Sequence, residues 1–174
     1  ITGTSLSFNS FDWYIYNNMI EKHPVSPQHI IDCLNTNYGI TVTSLNFLPI
    51  GADLNASVYK AEVSDGPSYF VKLKRGHHND ISTTILRLLQ ASRIHQIIPP
   101  IKTIHEELTQ QIGDFTLIVY PFVDGQNGFC YHLTDDQWIT LGKALKKVHE
   151  LDVPPSIKDR IRKETYAPKW RAAV

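Results

Sequence analysis

The alternation of apolar and polar residues from residue 40 to residue 74 predicts three strands joined by short turns. Ile40–Leu48 carries β-branched Thr41, Val42 and Thr43 and reads as a first strand. Pro49, Ile50 and Gly51 end it. Ser57–Val63 and Ser68–Lys74 flank Asp65-Gly66, a dipeptide that favours a tight hairpin. In the last of these strands Tyr69, Val71 and Leu73 share one face, while Phe70, Lys72 and Lys74 share the other. Further on, Ile98–Ile104 alternates after Pro99-Pro100 and reads as an edge strand. Gln110–Asp114 reads as a turn. Phe115–Tyr120 is nearly all apolar and reads as a buried central strand.

Helical spacing marks three other stretches. Ser26-Pro27 places a capping residue before a proline at the first helical position. Ile30, Ile31 and Leu34 then form a stripe that Gly39 closes. Ile81, Ile85, Leu88 and Leu89 predict a helix to about Ser92 that packs on the sheet. Thr134-Asp135-Asp136-Gln137 is a capping box. It is followed by Trp138, Leu141, Leu145 and Val148 on one face. Lys158–Lys163 is expected to be a solvated helical face.

Together these elements predict an α+β fold: a mainly antiparallel sheet of about five strands with a helix against it, and then a helical segment. The chain has 174 residues, 42% hydrophobic and 20% charged, enough for one packed domain or somewhat more. Lys+Arg and Asp+Glu are both 17, a balance that gives no support to nucleic-acid binding. No apolar run is long enough for a membrane span. Cys33 and Cys130 have no metal-ligand spacing, and two isolated cysteines fit reduced thiols in a cytoplasmic protein. His77 and His78 have no third ligand at a suitable spacing and read as a solvated loop. Ile1–Asn18 is rich in aromatics without the pattern of a signal peptide. Met19, the single methionine, marks a candidate natural start; an N-terminal arm packed on the domain is the other reading.

The chemistry concentrates between Gly51 and Lys74. A small polar turn, Gly51–Ser57, lets backbone approach a ligand closely. One hairpin later, Lys72 sits inside an apolar strand, where a lysine can hold a phosphate. Three stretches carry a resemblance to a known family: Gly51-Ala52-Asp53-Leu54-Asn55-Ala56, the run Tyr69–Gly76 around Lys72, and Ile118–Phe129. They resemble the aminoglycoside phosphotransferase family of kinase-like enzymes, and within it the spectinomycin phosphotransferases. The resemblance runs from about Ser26 to the end of the chain. Gly51 lacks the partner glycines of protein kinases.

The resemblance implies a kinase-like nucleotide-binding lobe at 26–120, a hinge at 121–129, and the start of a truncated helical lobe at 130–174, with 1–25 as an extension. It implies ATP or GTP with Mg2+ as cofactor, and an aminocyclitol or aminoglycoside as acceptor in a longer enzyme. Lys72 is implied to hold the phosphates, and Asp53, Asn55, Ala56 and Ser57 to lie in the loop over them. Asp80 would orient the lysine, or merely cap the following helix. Backbone groups around Tyr120 and Phe122 would meet the base, with Asp124 and Asn127 at the mouth.

The catalytic residues of such enzymes are absent from the expected places. His78-Asn79-Asp80 has Ile85 where an asparagine should follow, Asp114-Phe115 precedes the hinge, and His149 and Asp152 are wrongly spaced. The chain is therefore expected to be an N-terminal portion that is inactive alone. A metabolic kinase of the same fold (acting on choline, homoserine or methylthioribose) and a non-catalytic binding module that self-associates through an exposed lobe junction are the alternatives.

Overall fold

The structure is a computed structural model that describes residues 22–50, 53, 55–76, 81–125, 131–161 and 163. Its element order is α1 (Pro27–Tyr38), β1 (Ser44–Leu48), β2 (Ala56–Glu62), β3 (Tyr69–Arg75), α2 (Ile81–Ala91), β4 (Gln110–Ile112), β5 (Phe115–Pro121), α3 (Asp135–His149) and α4 (Pro155–Lys158). The five strands form one sheet in the order β1-β2-β3-β5-β4, with every neighbouring pair antiparallel. The expected α+β fold with a five-stranded antiparallel sheet is present.

β3 lies at the centre, paired with β2 on one side and β5 on the other. Its alternation sorts the sheet into two faces. Val71 and Leu73 are fully buried beside Tyr59, Ala61, Leu117 and Val119. Helix α1 closes this face with Ile30, Cys33, Leu34 and Tyr38. Both ends of α1 are set by the sequence as expected. Ser26 Oγ accepts a hydrogen bond from the His29 N–H at 3.1 Å. At the other end Gly39 adopts φ 66°, a left-handed conformation that suits glycine, and the Ile40 N–H returns to the Leu34 carbonyl at 3.1 Å. The fold reaches N-terminal to Ser26: His23 is buried, and Val25 packs against the core.

Several elements differ from the sequence reading. The edge strand of the sheet is Gln110–Ile112, read above as a turn, and Ile98–Ile104 is not a strand. Pro99 and Pro100 have no N–H to offer a ladder. Ile101 does donate to the Val119 carbonyl at 2.7 Å, but no ladder follows. The turn itself is shorter than expected. Gly113, at φ 54°, and Asp114 reverse the chain between Ile112 and Phe115. A three-residue strand is too short to show an alternation.

Helix α2 was expected on the sheet. Its Leu89 instead joins a second cluster with Ile94 and Ala144, flanked by Ile85, Ile97, Val148 and Leu151. The capping box of α3 forms as read, with the Thr134 N–H donating to Gln137 Oε1 at 2.9 Å and the Gln137 N–H to Thr134 Oγ1 at 3.3 Å. Of the apolar stripe on α3, Val148 lies on the packed side. Ala144 and Val148 pack inward, whereas Trp138, Leu141 and Leu145 are exposed. The helix expected over Lys158–Lys163 is also displaced, since α4 ends at Lys158.

Two truncations test where the core sits. Leu73→Ala should cost about 2–5 kcal/mol of unfolding free energy in denaturant titration, because a fully buried leucine leaves a cavity. Leu145→Ala, on the exposed side of α3, should stay within about 1 kcal/mol of wild type. Equal losses would contradict this partition.

Candidate nucleotide site

The face of β3 opposite the core carries Phe70 and Lys72 into an open cleft of about 640 Å3. Pairing register places Val58 and Ile118 level with Lys72, and Lys60 and Tyr120 level with Phe70. Leu48 and Ile50 form one wall at the end of β1, Leu86 of α2 and Ile98 another, and Tyr120–Gly125 the rim. The cleft is thus apolar along most of its length, with Lys72 as its cationic group. The ring of Tyr120 meets that of Phe70 edge to face at 6.3 Å. Ile50 and Ile98 remain 48% and 43% exposed. Exposed apolar side chains lining a concave surface of this size are what a flat heteroaromatic ligand would cover.

The loop before β2 is held from behind. The Asn55 carbonyl accepts from the Arg75 N–H at 2.9 Å and lies 3.0 Å from His23 Nε2. The His23 N–H donates to Ser57 Oγ at 2.9 Å, and its ring packs on Phe115 at 4.9 Å. At the front of the loop, the Asn55 N–H donates to Asp53 Oδ1 at 3.1 Å and the Ala56 N–H to the Asp53 carbonyl at 3.0 Å. This side-chain turn aims the other carboxylate oxygen of Asp53 at Lys72, with Oδ2 3.2 Å from Nζ. Partial burial works against ionisation of Asp53. Hydrogen bonds from Lys72 and Asn55, with the charges of Lys72 and Lys74, overcome it and hold the carboxyl below the ordinary aspartate value.

The site residues read from sequence are therefore only partly assembled. Lys72, Tyr120, Phe122 and Asp124 line the cleft, and Asp53 reaches it through Lys72. Asn55 acts through its backbone, as the loop's fixed point. Ala56 is buried at the start of β2. Ser57 is fully buried and stands level with Leu73, on the core side of the sheet, so its side chain does not reach the cleft. The Phe122 N–H already donates to the Ser68 carbonyl at 3.0 Å. Its ring lies under Lys60 Nζ at 4.9 Å. Asp80 and Asn127 lie outside the described residues.

Sequence reasoning passed over the apolar walls and His23. Leu48 and Ile50 flank Pro49 just before the loop, and Leu86 is an apolar residue off the main stripe of α2. These were the available signals. His23 gave none, because its role depends on contacts more than thirty residues away.

No protein-family model matches the chain, and no curated protein matches it. Solved structures do. The chain is 45% identical to spectinomycin phosphotransferase APH(9)-Ia crystallised with ADP and spectinomycin, with a TM-score of 0.78 over 86% of this chain. The chain belongs to the aminoglycoside phosphotransferase family. The AMP-bound complex of APH(9)-Ia is similar too, at 42% identity, TM-score 0.74 and the same 86% of this chain. Amicoumacin kinase hAmiN, solved with AMP-PNP, Ca2+ and its antibiotic, shares the fold at 19% identity and TM-score 0.52, over 76% of this chain and 43% of its own. The chain spans about 45% of the length of the two APH(9)-Ia structures. Within the part of this family fold described here, no three metal-ligating side chains gather, and no helix among the described residues is long and apolar enough to cross a membrane.

The Asp53–Lys72 pair has a pH signature. A carboxyl whose folded-state pKa is depressed contributes stability above its unfolded value, and that contribution is lost as pH falls through the folded pKa. A carbon-13 NMR titration should find Asp53 titrating below a free aspartate, and Lys72→Met should raise its pKa. An unchanged pKa in Lys72→Met would show that the pair is not formed in solution.

Proposed function

We propose that this chain is the nucleotide-binding part of a phosphotransferase that moves the γ-phosphate of ATP or GTP to a hydroxyl of an aminocyclitol antibiotic of the spectinomycin type. The observation that carries this reading is the placement of Lys72 in a cleft with an apolar floor and walls, in a chain 45% identical to an enzyme crystallised with ADP and spectinomycin.

In this reading the base slides between Leu48, Ile50 and Ile98 on its sides and Phe70 and Tyr120 beneath it. Backbone groups of 120–125, the proposed hinge, meet its polar edge. The Phe122 N–H is occupied by Ser68, which shifts that role to neighbouring backbone groups. Lys72 neutralises the phosphates from the centre of the sheet, where its backbone is fixed by two strand partners. Placing charge in advance, rather than reorganising it during reaction, is how phosphoryl-transfer sites lower their barrier. The Mg2+ expected with the nucleotide supplies charge neutralisation when bound. The described residues do not assemble a ligand set for it, and the aspartate that positions the acceptor hydroxyl is likewise assigned to the rest of the enzyme.

A second reading rests on α3. Its exposed Trp138, Leu141 and Leu145 form an apolar surface of the sort that associates, so the isolated chain is a candidate for self-association, which sedimentation velocity over a concentration series would reveal.

Isothermal titration tests the main reading. ATP or GTP should bind the chain, and Lys72→Ala should weaken binding about tenfold or more, a change of ~1.4 kcal/mol or above. Spectinomycin-dependent ADP release by the pure chain should be indistinguishable from background. Nucleotide binding that ignores Lys72→Ala would remove the basis of the assignment, and sustained turnover would overturn the expected inactivity.

A further inference from the structure

The Asp53–Lys72 pair raises a question that the nucleotide reading leaves open. Lys72 is placed to receive phosphates, yet in this structure its ammonium faces a carboxylate of its own chain at 3.2 Å. An ionised carboxylate has only acceptors to offer, and so has a phosphate. Asp53 therefore cannot donate to a phosphate, and a phosphate beside Lys72 would bring like charges together. The other oxygen, Oδ1, is already taken by the Asn55 N–H.

We propose that Asp53 is an anionic placeholder, a loop carboxylate that occupies the phosphate position at Lys72 and that nucleotide must displace. The inference rests on the nucleotide reading of the cleft and reverses the role of Asp53 within it, from ligand to competitor.

Three features of the geometry support it. The side-chain turn at Asn55 fixes the direction of the carboxylate, so the pair is built by the loop rather than by a chance rotamer. The loop is secured at Asn55 and Ser57 through Arg75 and His23, so its β2 end does not depend on the contact between Asp53 and Lys72. Both partners keep some solvent access, 28% for Lys72 and 35% for Asp53. A pair at that depth is weak enough to be displaced. The consequence is selection by ligand charge. A ligand carrying several phosphate charges competes well with one carboxylate, and an uncharged nucleoside neither displaces Asp53 nor is hindered by it.

Asp53→Asn is the direct test, because the amide keeps an oxygen for the Asn55 N–H while losing the charge. Titrations without divalent metal, in low salt, should find ATP bound about two- to fivefold more tightly by Asp53→Asn than by wild type, with adenosine unchanged. In a Lys72→Ala background the gain should shrink, since the competition for the ammonium is gone and only the repulsion between carboxylate and phosphate is relieved. Thermal melts of each variant establish that all are folded. ATP binding weakened by Asp53→Asn would make Asp53 a supporting ligand and overturn the proposal. An unchanged affinity would make the pair inconsequential and overturn it equally. Failure of the nucleotide reading shows separately, as ATP binding that is absent from wild type or indifferent to Lys72→Ala.

Discussion

The structure depends on one strand being read two ways. β3 is the middle of five strands, and side chains leave it alternately to opposite faces. Val71 and Leu73 fill the core under α1, and the same backbone geometry sends Phe70 and Lys72 into the cleft. A one-residue slip against β2 or β5 would bury Lys72 and expose the two apolar residues, a loss no local adjustment could recover. The register that makes the core is thus also the register that holds a cation at the centre of an apolar cleft. Stability and candidate chemistry are fixed by one set of backbone bonds.

The loop before β2 uses that rigidity. Its rear is tied to the sheet through Asn55, Arg75, His23 and Ser57, and its front presents Asp53 to Lys72. The rear contacts are short and largely buried, the front contact half-exposed. The cleft rim is built similarly. Phe122 is tied to Ser68 and stacked under Lys60, just before the chain leaves the sheet.

Much of this was legible in the sequence, for identifiable reasons. The β2–β3 hairpin, the caps of α1 and α3 and the face of Lys72 follow from local rules of turn chemistry, capping and alternation. The misreadings all involve long-range competition. Ile98–Ile104 alternates like a strand, but Pro99 and Pro100 offer no N–H, and those of Thr103 and Ile104 go to Glu107 and Asn37, so Gln110–Ile112 takes the edge instead. Ser57 looks like a loop hydroxyl in sequence, but the register turns it to the core beside Leu73. Trp138, Leu141, Leu145 and Val148 form one apolar stripe in sequence, but the first three are exposed, and Val148 packs beside Ala144 in the cluster that holds Leu89 of α2. His23 shows its role only once the chain has folded back on residues 55 and 57. Family membership was visible in three short stretches, which the similarity to APH(9)-Ia then bore out.

The central claim is that the cleft on the outer face of β3 is where nucleotide binds. Amide chemical-shift mapping of the nitrogen-15-labelled chain with ADP tests it most directly. The account predicts shifts concentrated at Leu48, Phe70, Lys72 and Tyr120–Gly125, with α1 and the outer face of α3 unmoved. Shifts centred instead on the lysine-rich surface of α3 around Lys143 and Lys147, with β3 silent, would contradict it.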